Sequence, residues 1–82
     1  MNRAASIWIL EDDLALCDLL VQCFAPLGWQ TRTFARPRCL EEGLAEERPS
    51  LLVLDEMLPE RSGVDVLAGL RIQGHDFPVL ML

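Results

Sequence analysis

Eighty-two residues leave room for one small domain built on a single core. Apolar residues make up 51% of the chain and charged residues 24%, a balance that excludes disorder, collagen-like repeats and low-complexity sequence. Thirteen acidic residues stand against seven arginines, and the net charge of −6 repels phosphate backbones, so direct nucleic-acid binding by this segment is not expected.

No apolar run approaches the roughly 18 residues of a membrane span, and Met1 to Ser6 lacks the apolar core of a signal peptide. No membrane partner is expected, and the cytoplasm is the expected location.

In chain order, Ile7-Trp8-Ile9-Leu10 is the first of three short, continuous apolar runs. Runs of this kind fit strands covered on both faces, as in parallel sheets. A segment of helical period follows, with Leu16, Leu19, Leu20, Cys23, Phe24 and Leu27 as its expected inward stripe. Asp12 and Asp13 suit its start, and Pro26-Leu27-Gly28 supplies its stop. Trp29 to Phe34 alternates polar and apolar residues and reads as a strand nearer the sheet edge. A second helix opens with Pro37, carries Leu40, Gly43 and Leu44 inward, and ends before Pro49.

Leu51-Leu52-Val53-Leu54 is the next apolar run. Ser62 then caps a third helix with Val66, Leu67 and Leu70 inward and Gly74 as its stop. Val79-Leu80-Met81-Leu82 is the last run. The order β-α-β-α-β-α-β predicts an α/β fold with a doubly wound parallel sheet. Cys17, Cys23 and Cys39 have an odd count, no CxxC pair and apolar neighbours, so they are expected to be reduced and mostly packed.

Two strands end in acids: Glu11-Asp12-Asp13 after the first and Asp55-Glu56 after the third. In an open α/β sheet, ligands bind beyond the carboxyl ends of the strands at a switch point. If these strands are neighbours, up to three carboxylates converge, and such a group requires a cation, a raised pKa or separation. All-oxygen ligands on short turns suit magnesium. Asp13 has a simpler reading, as the helix N-cap. For Asp12 or Asp55 alone, solvation is an equally good account; their joint placement favours a site.

IWILEDD, then LLVLDEMLPERSG about forty residues later, then PVLML, resembles the receiver domain of bacterial two-component response regulators. The resemblance runs from Ser6 to Leu82, and its most specific element is the strand followed by Asp-x-x-Leu-Pro-x-x-x-Gly. It implies a receiver domain over 6–82 with a flavodoxin-like sheet of order 2-1-3-4-5, truncated after the fourth strand so that the fifth is missing. It further implies that Asp55 is the phosphoacceptor and that Glu11 and Asp12 are the acidic pair. The resemblance likewise implies that magnesium would be held by Glu11, Asp12, Asp55 and the backbone carbonyl of Met57. The implied partner is a sensor histidine kinase, and the implied role is a signalling phosphoacceptor rather than an enzyme, with transcription regulation as an output of a full-length parent. Pro59 and Gly63 match the turn into the third helix.

The sequence also departs from the family. The family's Ser or Thr after the fourth strand would follow Leu82, the chain contains no Lys, and Glu56 occupies a position that is usually apolar. Glu56 is expected to add negative charge near the site. These departures support an alternative: a receiver-like interaction module that is not phosphorylated. A flavin or nucleotide binder ranks below both, because Glu11-Asp12-Asp13 repels phosphate where such folds cradle it. An Asp-x-Asp phosphatase is disfavoured because Asp55-Glu56-Met57 lacks the second Asp. His75 reads as a solvated loop residue, Trp8 as core, and Arg32, Arg36 and Arg38 as a solvated edge. An apolar fourth strand at the sheet edge is expected to self-associate near Val79–Leu82.

Overall fold

Each short apolar run forms a strand in the computed structural model, which describes residues 5–82. The strands are β1 (Ser6–Leu10), β2 (Gln30–Phe34), β3 (Leu51–Leu54) and β4 (Val79–Met81). All pair in parallel, in the order β2-β1-β3-β4. The helices are α1 (Leu14–Phe24), α2 (Pro37–Leu44) and α3 (Gly63–Ile72). This is the doubly wound α/β arrangement expected from the alternation, with β2 at one edge.

The central strands are apolar because both their faces are covered. On one face Trp8, Leu10, Leu52 and Leu54 pack with Leu40 and Leu44 of α2 and Val66 and Leu70 of α3. On the other, Ile7, Ile9 and Val53 pack with Cys17, Leu20, Val21 and Phe24 of α1. Alternate residues of each strand thus serve different layers. Burying an aliphatic side chain fully contributes about 1.5–3 kcal/mol, so the fully buried Ile7, Ile9, Leu10, Leu52 and Leu54 anchor the sheet's centre.

The inward face of α1 differs from the expected stripe. Cys17, Leu20, Val21 and Phe24 turn inward, whereas Leu19, Cys23 and Leu27 are exposed and Leu16 is half-buried. The segment is apolar on nearly every side, with Asp18 and Gln22 its polar residues, so several stripes share the helical spacing. Docking on Ile7, Ile9 and Val53 selects one of them. After Phe24 the chain tightens into a 3₁₀ turn over Ala25–Leu27, which changes the period and swings Leu27 outward. Gly28 follows with φ +72°, the left-handed conformation that glycine adopts without penalty.

The other two helices match their sequence signals. Pro37 lies in the first turn of α2, while Ser62 caps α3, its hydroxyl oxygen accepting the Asp65 N–H at 3.1 Å. The cysteines are less packed than expected: Cys17 is buried, but Cys23 and Cys39 are exposed on the outer sides of their helices. Trp8 is buried and packs against Phe34 with ring centroids 5.1 Å apart. His75 is half-buried against the Phe77 ring rather than fully solvated. Arg32 lies over the Trp8 and Phe34 rings, and Arg36 pairs with Glu60 at 3.3 Å. No helix among the described residues is long and apolar enough to cross a membrane.

Candidate functional site

Strand register brings the two acidic turns together. Leu10 is opposite Leu54, so the residues that follow, Glu11 and Asp55, leave the sheet side by side. The ladder continues one step further, with the Asp55 N–H donating to the Leu10 carbonyl at 3.2 Å. On the other side, the Glu11 N–H donates to the Phe34 carbonyl at 3.0 Å. Because β1 lies between β2 and β3, this is the place where the chain's crossovers diverge to opposite sides of β1.

There, carboxylate oxygens of Glu11, Asp12 and Asp55 lie within 4.8 Å of one another. Two unit charges at that separation repel by about 3.5 kcal/mol at an effective dielectric near 20. Glu11 is only 2% exposed. Its Oε2 accepts the Asp13 N–H at 3.2 Å, while its Oε1 is buried without a hydrogen-bond partner. Burial, opposed by the Asp13 N–H and reinforced by the neighbouring Asp12 and Asp55, pushes the Glu11 carboxyl up to about 7. An orphaned, buried oxygen among three convergent carboxylates fits a hard divalent cation: the donors are all oxygen, and their charges need compensation.

The surrounding backbone fixes this group. Asp13 caps α1, its Oδ1 accepting from the Ala15 and Leu16 N–H groups, so its side chain serves the helix while its N–H serves the pocket. Asp55 Oδ1 accepts the Met57 N–H at 3.1 Å, which folds the main chain of Met57 back beside the acid while its side chain is 83% exposed. A bridge between Met57 and Ser62 and a 2.8 Å bond from the Gly63 N–H to the Glu56 carbonyl close the turn through Pro59. A Cβ on Gly63 would stand 2.5 Å from the Asp55 carbonyl oxygen, so this position requires glycine for close approach.

The sequence-predicted acids Glu11, Asp12 and Asp55 are thus brought together, with Met57 at their edge. Glu56 is outside the three-carboxylate group, although it follows Asp55 directly. Its N–H donates to the Leu82 carbonyl at 3.3 Å, which prolongs the β3–β4 ladder. Sequence reasoning missed Cys17, whose thiol donates to the Glu11 carbonyl at 3.3 Å. Burial and the Glu11 charge push that thiol up, so it remains a protonated donor. No spacing rule distinguishes it from an ordinary packed cysteine.

Residues 7–82 match the family described as the response regulator receiver domain. The probable transcriptional regulatory protein TcrX of Mycobacterium tuberculosis is 31% identical over 81 residues, covering 99% of this chain and 35% of that protein. The transcriptional regulatory protein GltR of Pseudomonas aeruginosa is 32% identical over 81 residues, covering 94% of this chain and 33% of its own length. The chain therefore spans about a third of the length of the curated relatives it matches. Among solved structures, the N-terminal domain of a response regulator receiver protein from Methanoculleus marisnigri superposes with a TM-score of 0.86 at 26% identity, covering 93% of this chain and 63% of that one. The response regulator TrrA of Thermotoga maritima, in complex with magnesium and a beryllium fluoride, superposes at 0.85 with 19% identity, covering 94% and 67%. With a family match across nearly its whole length and the same sheet order, the chain belongs to the response regulator receiver domain family of two-component systems.

Proposed function

We propose that this receiver domain accepts a phosphoryl group on Asp55 from a sensor histidine kinase. The observation that carries the reading is the convergence of the Glu11, Asp12 and Asp55 carboxylates around a buried oxygen with no partner. Asp55 Oδ2 is the nucleophile, because Oδ1 is occupied by the Met57 N–H. Its lone pair forms the new P–O bond as the donor's P–N bond breaks, and the bonding electrons leave with the imidazole nitrogen. Glu11, Asp12, Asp55 and the Met57 carbonyl would hold magnesium. A bound cation would offset the charge of the carboxylates and of the incoming phosphoryl oxygens. Asp13 orients Glu11 through its N–H, and the Gly63 N–H bond to the Glu56 carbonyl closes the turn beside Asp55.

On this reading the domain is a signalling acceptor and not a turnover enzyme. It works in the cytoplasm and leaves contact with DNA to other parts of a transcription regulator. The resemblance of TcrX and GltR, both described as transcriptional regulatory proteins, supports that output.

Labelling with acetyl phosphate tests the central reading in the intact protein. One labile phosphoryl group, released by hydroxylamine as an acyl phosphate is, is expected in magnesium buffer, and Asp55→Asn should abolish it. Asp12→Ala should remove the magnesium response of the Glu11–Asp13 and Asp55–Met57 amides. Undiminished labelling of Asp55→Asn would reject the acceptor assignment. A magnesium response without any labelling of the wild type would favour the non-phosphorylated interaction module.

A further inference from the structure

Glu11 is restrained at every polar atom but one. Its N–H donates to Phe34, its Oε2 accepts from Asp13, and its carbonyl accepts the thiol of Cys17 at 3.3 Å. Oε1 alone lacks a partner. The bonds to Phe34 and Asp13 use main-chain atoms of the neighbouring residue and form whatever side chains stand there. The bond from Cys17 depends on one side chain. Cys17 is the buried residue of α1, 5% exposed, and lies among Ile7, Ile9 and Val53 under the acidic turn.

We propose that Cys17 is a positioning residue for the acidic pocket: its S–H, donated to the Glu11 carbonyl, fixes the Glu11–Asp12 peptide and thereby the directions of both carboxylates. The peptide unit is planar, so one bond to its oxygen sets the plane that carries the Asp12 nitrogen as well. Two of the three clustered acids are oriented by a single contact from the helix that follows them. Without the thiol, the Glu11 carbonyl has no donor from α1 at a site closed by the apolar layer, and a carbonyl left in that position rotates to find one. The inference rests on reading the pocket as a cation site, and the experiment separates the two.

Cys17→Val removes the donor and adds one heavy atom, whereas Cys17→Ser keeps a donor and slightly reduces the volume. Two readouts are taken on the intact protein: magnesium affinity from the Asp12 and Asp55 amide shifts, and metal-free hydrogen exchange at the Asp13 N–H, which is bonded to Glu11 Oε2. Cys17→Val should weaken magnesium binding by roughly twofold to fivefold and speed Asp13 exchange by a similar factor. Cys17→Ser should stay within about twofold of the wild type in both, the range left by the weakest hydrogen bonds.

Equal behaviour of Cys17→Val and the wild type overturns the proposal. So does equal weakening by Val and Ser, which would mark a packing role only. If the wild type itself shows no magnesium response, the cation reading fails. The positioning of Glu11 then stands or falls on whether exchange at Asp13 separates Val from Ser.

Discussion

Replacing Gly63 with alanine should damage both the fold and the pocket, although it adds one carbon. The new Cβ would stand 2.5 Å from the Asp55 carbonyl oxygen, 2.8 Å from the Glu56 Cα and 2.9 Å from the Met81 Sδ. Non-bonded heavy atoms rest at about 3.5–4.0 Å, so each contact is short by roughly 0.6–1 Å or more. Two of the three obstacles are backbone and cannot turn away as a side-chain tip would. Overpacking of this kind costs about 1–3 kcal/mol, and the rigid neighbours place Gly63→Ala near 2 kcal/mol. For a domain of this size that lowers the thermal midpoint by roughly 8–16 °C.

Gly69, in the same helix, provides the internal control. A Cβ there meets only the end of the Arg61 side chain, at 3.3 Å, and the flexible guanidinium moves aside. Gly69→Ala should therefore stabilise by about 0.5–1 kcal/mol through the reduced entropy of the unfolded chain. Thermal unfolding of both variants, with amide shifts at Asp55 and Glu56, makes the comparison. The reasoning is refuted if Gly63→Ala melts with the wild type, or if both glycines respond with the same sign.

Glu11 makes a pH prediction. Its folded carboxyl titrates at about 7 against a reference of 4.5, so the native state binds the proton more tightly. The associated stability is fully present below about 4.5 and is lost as pH rises through about 7. In metal-free buffer, wild-type stability relative to Glu11→Gln should fall across that window; a flat difference in urea midpoints would reject the raised carboxyl. Ser62→Ala removes the acceptor for the Asp65 N–H and should cost about 1 kcal/mol, read from the same urea curves.

Much of the fold was legible from local signals. Three apolar runs fitted strands, of which β1 and β3 are covered on both faces while Leu80 of β4 is exposed, and Pro37, Ser62 and Gly74 marked helix ends through constraints that act within a few residues. The acids after β1 and β3 were visible as candidates because strand ends in such sheets converge at one crevice. Tertiary structure decided what local periodicity leaves degenerate. The apolar sequence of α1 allows several equivalent faces, and contact with Ile7, Ile9 and Val53 selected the one bearing Cys17 and left Leu19 and Cys23 outside. Strand register, set by Leu10 against Leu54, turned two distant acidic turns into one group and left Glu56 out of it despite its place beside Asp55. The thiol bond to Glu11 and the close approach of Gly63 to Asp55 depend on atoms meeting across the layers, a relation that spacing along a chain does not encode.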